Sequence, residues 1–265
     1  MISGKIKILT VGVVLMLTAM IAWSMRNKLL YKASTPVHHA KIAKSDSVER
    51  ITYDTLLLKK FADISRAFNV QKDVVTYSGV LSINDGADST GNVKALNFYY
   101  SRNGNNYYYK NGSTETLNAQ GIYLYIEHDH KRVLIAKQKE VPVAPLPDMS
   151  NVTDKLQSER YHLVDKKNGG YETIALINEH HISCKEYAIT FDTLHHQLNT
   201  VVTRLSCFAD PLNKKKDRVI SMKMNLYESR SDAGNFPDKS NTILKDGNSW
   251  KLTAKYSNYE LISLP

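Results

Sequence analysis

Apolar and polar positions divide this chain into three regimes. From Ile8 to Met25 the residues (ILTVGVVLMLTAMIAWSM) carry no charge over eighteen positions, and a helix of that length spans about 27 Å, close to the hydrocarbon thickness of a bilayer. From Ala33 to Ser45 the chain is polar, with Pro36 and few apolar residues. The remainder alternates short apolar runs with turn residues. The division predicts an N-terminal membrane anchor or signal segment over 1–28, a polar tether over 29–47, and one exported antiparallel β domain over 48–265.

The first element of that domain is a helix. Asp46 followed by Glu49 has the form of a capping box. Tyr53, Leu57, Phe61, Ile64 and Phe68 then recur at helical spacing, so a helix is expected from about Val48 to Phe68 with one stripe packed on a sheet. From Val74 the period becomes two. Val75, Tyr77, Gly79, Leu81 and Ile83 share a face, and Leu96, Phe98 and Tyr100 alternate after them. Turns at Asn103-Gly104 and Asn111-Gly112 bracket Tyr107 to Tyr109. Ile122, Leu124 and Ile126 alternate with Tyr123 and Tyr125, and a turn at His128-Asp129 leads into Arg132 to Lys137.

Pro142, Pro145 and Pro147 predict an extended connector, followed by a short helix from Asn151 to Ser158. A second meander is expected over Tyr161 to Val164, Tyr171 to Ile177, Ile182 to Phe191, Leu198 to Phe208 and Arg218 to Tyr227. A polar loop from Arg230 to Gly247 separates these strands from Trp250 to Tyr256. Ile220, Met222, Met224 and Leu226 give the cleanest alternation in the chain. The expected class is mainly β with flanking helices (α+β): an antiparallel sheet packed on an N-terminal helix, preceded by a transmembrane helix.

The uncharged segment admits two readings. Ala22-Trp23-Ser24 is a poor signal-peptidase site, and the apolar run is longer than a signal core needs, which favours an uncleaved anchor. Lysines and arginines flank both sides, with more after the span than before it. Taken alone, that opposes export of the C-terminal domain, but long domains translocate largely regardless of flanking charge. The expected location is therefore the inner membrane, single-pass, with the domain in the periplasm.

Composition changes this picture little. Net charge is +9 with 42% hydrophobic residues, which is ordinary for a globular domain. The positive excess is scattered, densest at Lys214-Lys215-Lys216 and just after the apolar segment, and no nucleic-acid-reading motif accompanies it.

Candidate chemistry is sparse. Histidines occur at His128 and His130 around Asp129, at His180-His181 and at His195-His196, the last two pairs at opposite ends of one strand. They read as polar turn residues, not metal ligands. No metalloprotease, nucleophile-elbow, phosphate-loop or dinucleotide motif is present. The expectation is no catalytic residue, no cofactor, no metal and no nucleic-acid partner. Cys184 and Cys207 fall on consecutive strands. A bulge near Lys185 and an odd turn around His195 would set them opposite each other, so a disulfide is expected in an oxidising compartment.

The order of segments resembles one family. An amphipathic helix leads into Tyr77-Ser78-Gly79-Val80-Leu81. Ile122-Tyr123-Leu124-Tyr125-Ile126-Glu127-His128-Asp129 is followed by Arg132-Val133, and later Ile189-Thr190-Phe191-Asp192 precedes a turn and Leu198-Asn199-Thr200-Val201. This layout is similar to the periplasmic lipoprotein-carrier superfamily (LolA/LolB-like) over about residues 48 to 260. The resemblance implies an antiparallel half-barrel around helices, with acyl chains held inside. On that reading the lining candidates are Leu96, Phe98, Tyr100, Ile122, Leu124, Ile126, Met222, Met224 and Leu226, binding a lipid, acyl chain or lipoprotein. The alternative is a non-enzymatic accessory subunit of an envelope secretion or transport assembly, whose β domain presents a face to an envelope protein.

Overall fold

The computed structural model describes residues 51–67, 72–141, 152–247 and 249–264. The expected anchor, tether, capping box and Pro142–Pro147 connector lie outside them. Among the described residues no helix is long and apolar enough to cross a membrane.

The helix of the domain, α1 (Thr55–Ala67), starts later than its apolar stripe implied. Asp54 accounts for the start: its Oδ1 accepts from the backbone N–H groups of Leu56 and Leu57 at 2.8 and 3.2 Å, satisfying donors that the first turn leaves open. Phe61 is buried at the centre of its inner stripe, with Tyr53, Leu57 and Ile64 packed beside it. A Phe→Ala change at such a site costs about 3–5 kcal/mol. A second short helix, α2 (Val152–Ser158), buries Leu156 in the same core.

The strands are β1 (Val74–Asp85), β2 (Val93–Asn103), β3 (Asn106–Asn111), β4 (Thr114–Ala119), β5 (Ile122–Glu127), β6 (Arg132–Lys137), β7 (His162–Asn168), β8 (Tyr171–Ile177), β9 (Cys184–Asp192), β10 (Gln197–Leu205), β11 (Arg218–Glu228), β12 (Ile243–Asp246), β13 (Ser249–Leu252) and β14 (Glu260–Ser263). Twelve of them form one curved sheet in the order β14-β6-β5-β4-β3-β2-β1-β11-β10-β9-β8-β7. Two meanders thus meet where β1 pairs with β11. The sheet is mixed, because β14 pairs parallel with β6; β12 and β13 form a separate hairpin.

Several expected boundaries move. β4 follows the Asn111-Gly112 turn as a full strand, and β12 lies inside the polar loop expected over 230–247. β10 stops at Leu205, not Phe208, and β13 stops at Leu252, leaving Ala254–Tyr256 as a single tight helical turn.

Residue register assigns each side chain to a face. Across β1, β2 and β3, Tyr77 lies opposite Tyr100 and Tyr100 opposite Tyr109, while Gly79 lies opposite Phe98. These belong to the face covered by α1 and α2, whose core also takes Ile174, Ile189, Phe191, Met222 and Met224. Tyr108 points the other way and pairs with Leu117, which pairs with Leu124, which pairs with Ile135. That opposite face carries a second core of Leu117, Ala119, Ile122, Leu124, Ile126, Val133 and Ile135, covered by Ile243 and Tyr256. Gly79 marks a tight approach in the sheet, since a Cβ there would sit 2.1 Å from the Lys223 carbonyl oxygen.

The expected bulge at Lys185 is present. Arg204 pairs with Glu186 and Leu205 with Cys184, so Lys185 is the extra residue. The expected disulfide is not: both thiols are free. Because β10 ends at Leu205, Cys184 faces Leu205 and Cys207 lies two residues beyond the pairing.

Candidate functional site

The sheet separates the nine lining candidates instead of gathering them. Leu96, Phe98, Tyr100, Met222 and Met224 lie on the helix-covered face, in or against a filled core. Ile122, Leu124 and Ile126 lie on the opposite face. Leu226 leaves its group because the register of β1 against β11 shifts between Ser78 and Gly79, making Asn225 an extra residue. The shift turns Tyr227 toward the core and leaves Leu226 37% exposed.

On the second face a cleft of about 340 Å³ opens between the sheet and the C-terminal segment. Its floor is Leu117, Leu124 and Ile126 from β4 and β5; its far wall is Thr242, Lys255 and Tyr256, with Pro237, Asp238 and Asn241 beside them. The segment is pinned at both ends. Lys239 N–H donates to Gln120 Oε1 at 3.1 Å and Lys239 Nζ to the Gln120 carbonyl at 2.7 Å. At the other end β14 adds to β6. Just ahead of the first point the Tyr108 and Phe236 rings meet at 6.3 Å, and between the two points the Tyr256 and Tyr259 rings meet at 5.0 Å.

Polar groups stand on both sides, with Asp238, Asn241, Thr242 and Lys255 on the C-terminal segment and Tyr108, Glu115 and His128 on the sheet. Glu115 accepts from the Tyr108 hydroxyl at 2.8 Å, from Lys110 Nζ at 3.0 Å and from His128 Nε2 at 3.2 Å. A carboxylate only accepts, so the neutral His128 ring carries its proton on Nε2, and Nδ1 accepts from the Tyr259 hydroxyl at 3.0 Å. Burial would raise the Glu115 pKa, but its hydrogen bonds from Tyr108, Lys110 and His128 outweigh that and hold it below its ordinary value. Tyr108 is pushed the other way, by burial and then by the Glu115 charge beside it. Glu115 is thus held ionised with three of its four lone-pair sites occupied, both on Oε1 and one on Oε2, which makes it a poor general base.

Two other constellations invite a chemical reading. His128, Asp129 and His130 diverge: His128 faces Glu115, Asp129 takes the Ser113 hydroxyl at 2.5 Å and His130 pairs with Glu127 at 2.6 Å. Among the described residues no group of three or more His, Cys, Asp or Glu is placed to hold a metal ion. Ser183, His181 and Glu159 line up in the manner of a hydrolytic triad, with Ser183 Oγ 3.1 Å from Nδ1 and Glu159 2.6 Å from Nε2. Yet Nδ1 already accepts the backbone N–H groups of Ser183 and Cys184 at 3.2 and 3.0 Å. The ring therefore closes the β8–β9 loop and has no free lone pair for a serine proton.

No protein-family model matches the chain, and no curated protein matches it. Among solved structures it is similar to a DUF1329 family protein from Desulfovibrio piger, at 9% identity over 69% of this chain and 95% of that one, with a TM-score of 0.26. A likeness at that level carries no argument, and the architecture stands on the strand order described above.

Proposed function

We propose that this chain is a membrane-tethered envelope domain that holds an acyl chain, or a ligand of similar apolarity, in the cleft between β3–β5 and the C-terminal segment. It binds without chemistry on the ligand, and the domain faces the periplasm. The cleft supports the reading: 340 Å³ is within the small-molecule range, and an apolar floor of Leu117, Leu124 and Ile126 lies beneath polar walls. Each methylene buried on that floor contributes about 0.8 kcal/mol, while Lys255 and the one Glu115 Oε2 lone pair not taken by Tyr108 are left for a head group. The lipoprotein-carrier resemblance points to the same ligand class, but the helix-covered face where that resemblance put the ligand is occupied by Phe61, Leu156 and their neighbours.

Organic extraction of the purified full chain with mass spectrometry, and titration with a fluorescent fatty acid, test the proposal. A bound apolar molecule, displaced by the probe, is expected. An empty cleft that takes no probe, together with a stoichiometric protein in a mild-detergent pull-down, would replace this reading with that of an accessory subunit of an envelope assembly.

A further inference from the structure

Three large apolar side chains stand in water at one end of the sheet. Phe208 is 87% exposed, Leu212 70% and Ile182 56%. Phe208 and Leu212 sit on the β10–β11 connection and Ile182 on the β8–β9 connection. The two loops are joined: Ser206 N–H donates to the Ser183 carbonyl at 2.8 Å, and Ser206 Oγ to the His181 carbonyl at 2.5 Å. Within the longer loop, Asp210 N–H reaches the Cys207 carbonyl at 3.1 Å, and the Asn213 side chain caps the Lys214–Lys216 turn. A single exposed leucine needs no explanation. Three large apolar side chains on two loops that are fixed to each other at one end of the sheet do need one.

Shape and surroundings select what covers them. Side chains exposed to this degree project from the surface and do not line a groove, which suits a fluid apolar phase that needs no matching pocket. Lys214, Lys215 and Lys216 follow directly; Lys214 and Lys216 share exposed pairs with Glu179 and Asp210 at 3.1 and 3.0 Å. Those pairs are weak enough to exchange for phosphate. The N-terminal side of the domain joins at the same end: the Tyr53 hydroxyl donates to the Tyr161 carbonyl at 2.7 Å, and the Tyr161 hydroxyl reaches the carbonyl of Cys184, two residues after Ile182. The described residues ahead of α1 therefore meet the sheet close to the β8–β9 connection.

We infer that the Ile182–Phe208–Leu212 tip docks on a lipid bilayer, with the apolar trio in the interfacial zone and the Lys214–Lys216 strip at the head-group phosphates. The inference shares the membrane setting of the proposed function but uses none of the cleft.

The test is Phe208→Trp in the full chain, with phosphatidylcholine vesicles that do or do not contain phosphatidylglycerol. Emission gained over the parent chain is read with brominated acyl chains as quencher. Blue-shifted emission quenched by bromine is expected, while the indole of Leu244→Trp, on the separate β12–β13 hairpin, stays water-exposed. Adding Ile182→Asp and Leu212→Asp to Phe208→Trp should return the introduced indole to water. Replacing the three lysines by glutamate should lower the bound-to-free ratio of the tip about tenfold or more in anionic vesicles. A chain that does not float with vesicles overturns the inference. So does emission from the introduced indole that stays water-like on floated chain, or is shifted yet insensitive to bromine because protein covers it. Fatty-acid binding in the cleft is scored separately on the same variants, so either idea can fail alone.

Discussion

Lys185 Nζ lies 2.7 Å from Asp217 Oδ1, and the two side chains are 0% and 2% exposed. The pair sits where β9 carries its extra residue, so the bulge that breaks the ladder also delivers a cation into the interior. Asp217 is shared: Arg204 Nη1 reaches its other oxygen at 3.3 Å, and the same guanidinium holds Glu186 at 3.2 Å and also Glu179. Removing one member of a buried pair leaves the other without a counter-charge, which costs about 3–5 kcal/mol. Asp217→Asn should fall at the upper end, because among the described residues Asp217 is the carboxylate paired with Lys185. Lys185→Met should cost less, since Arg204 still faces Asp217. Denaturant melts that rank the two variants in the opposite order would show that Arg204 does not compensate.

Acid should weaken this end of the sheet. The Arg204 hydrogen bond holds the Glu179 pKa down at about 2 against an ordinary 4.5, with a further contribution from Lys214. A carboxylate depressed on folding contributes stability that is complete above its unfolded pKa and lost as pH falls through the folded one. The window therefore runs from about 4.5 down to about 2. Asp85 adds to the trend in the same direction: burial alone would raise it, but hydrogen bonds from Arg218, Ala87 and Asp88 outweigh that. Melts of Arg204→Gln across that range should show a flatter pH dependence than the parent. An unchanged slope would place the acid sensitivity elsewhere.

Alkylation without reduction should label both cysteines, in an order set by their surroundings. Burial raises the Cys184 thiol above its ordinary pKa, and its Sγ lies 3.4 Å from the Glu186 carbonyl, so little thiolate is available. Cys207 is half-buried too, but it sits on the connection after β10, outside the strand pairing and next to the exposed Phe208. Intact-mass kinetics should show one fast adduct at Cys207 and a second that waits on unfolding. Resistance of both thiols until reductant is added would mean that they are bonded.

Strong alternation and Asn-Gly turns made the strands legible. Val75 to Ile83, Ile122 to Ile126 and Ile220 to Met224 all lie where period two put them. β4 is harder to see, because its cleft face carries Leu117 and Ala119 but also Glu115, and its other face is the polar Thr114, Thr116 and Asn118. The Asn111-Gly112 turn was the available signal, since a hairpin turn requires a strand on each side. The site was less legible than the fold. Periodicity reports that Leu124 and Met222 are both buried, but only register carried from β11 through β1, β2, β3 and β4 to β5 shows that they face opposite sides. The wall of the cleft comes from Thr242, Lys255 and Tyr256, which have no periodic pattern and reach the sheet because β14 adds to β6 far from them in sequence.

The two faces give a paired test of where empty volume lies. Met222 is packed against Leu81 across β1 and Val201 across β10, under a core that includes Phe61 and Ile189. Met222→Trp adds bulk to a filled interior and should cost about 1–3 kcal/mol, with fatty-acid binding by the folded fraction unchanged. Ile126 is as buried as Met222 but borders the 340 Å³ cleft, beside Leu117 and Leu124. A Trp there can extend its ring into existing space, so Ile126→Trp should stay within about 1 kcal/mol of the parent, in keeping with the small cost of changes that avoid overpacking, and abolish uptake of the probe. Urea melts and probe titrations on the two full-length variants provide four readings. If Ile126→Trp destabilises as much as Met222→Trp and leaves binding intact, the ligand does not enter this cleft. If Met222→Trp alone abolishes binding in a stable chain, the helix-covered face holds the ligand after all.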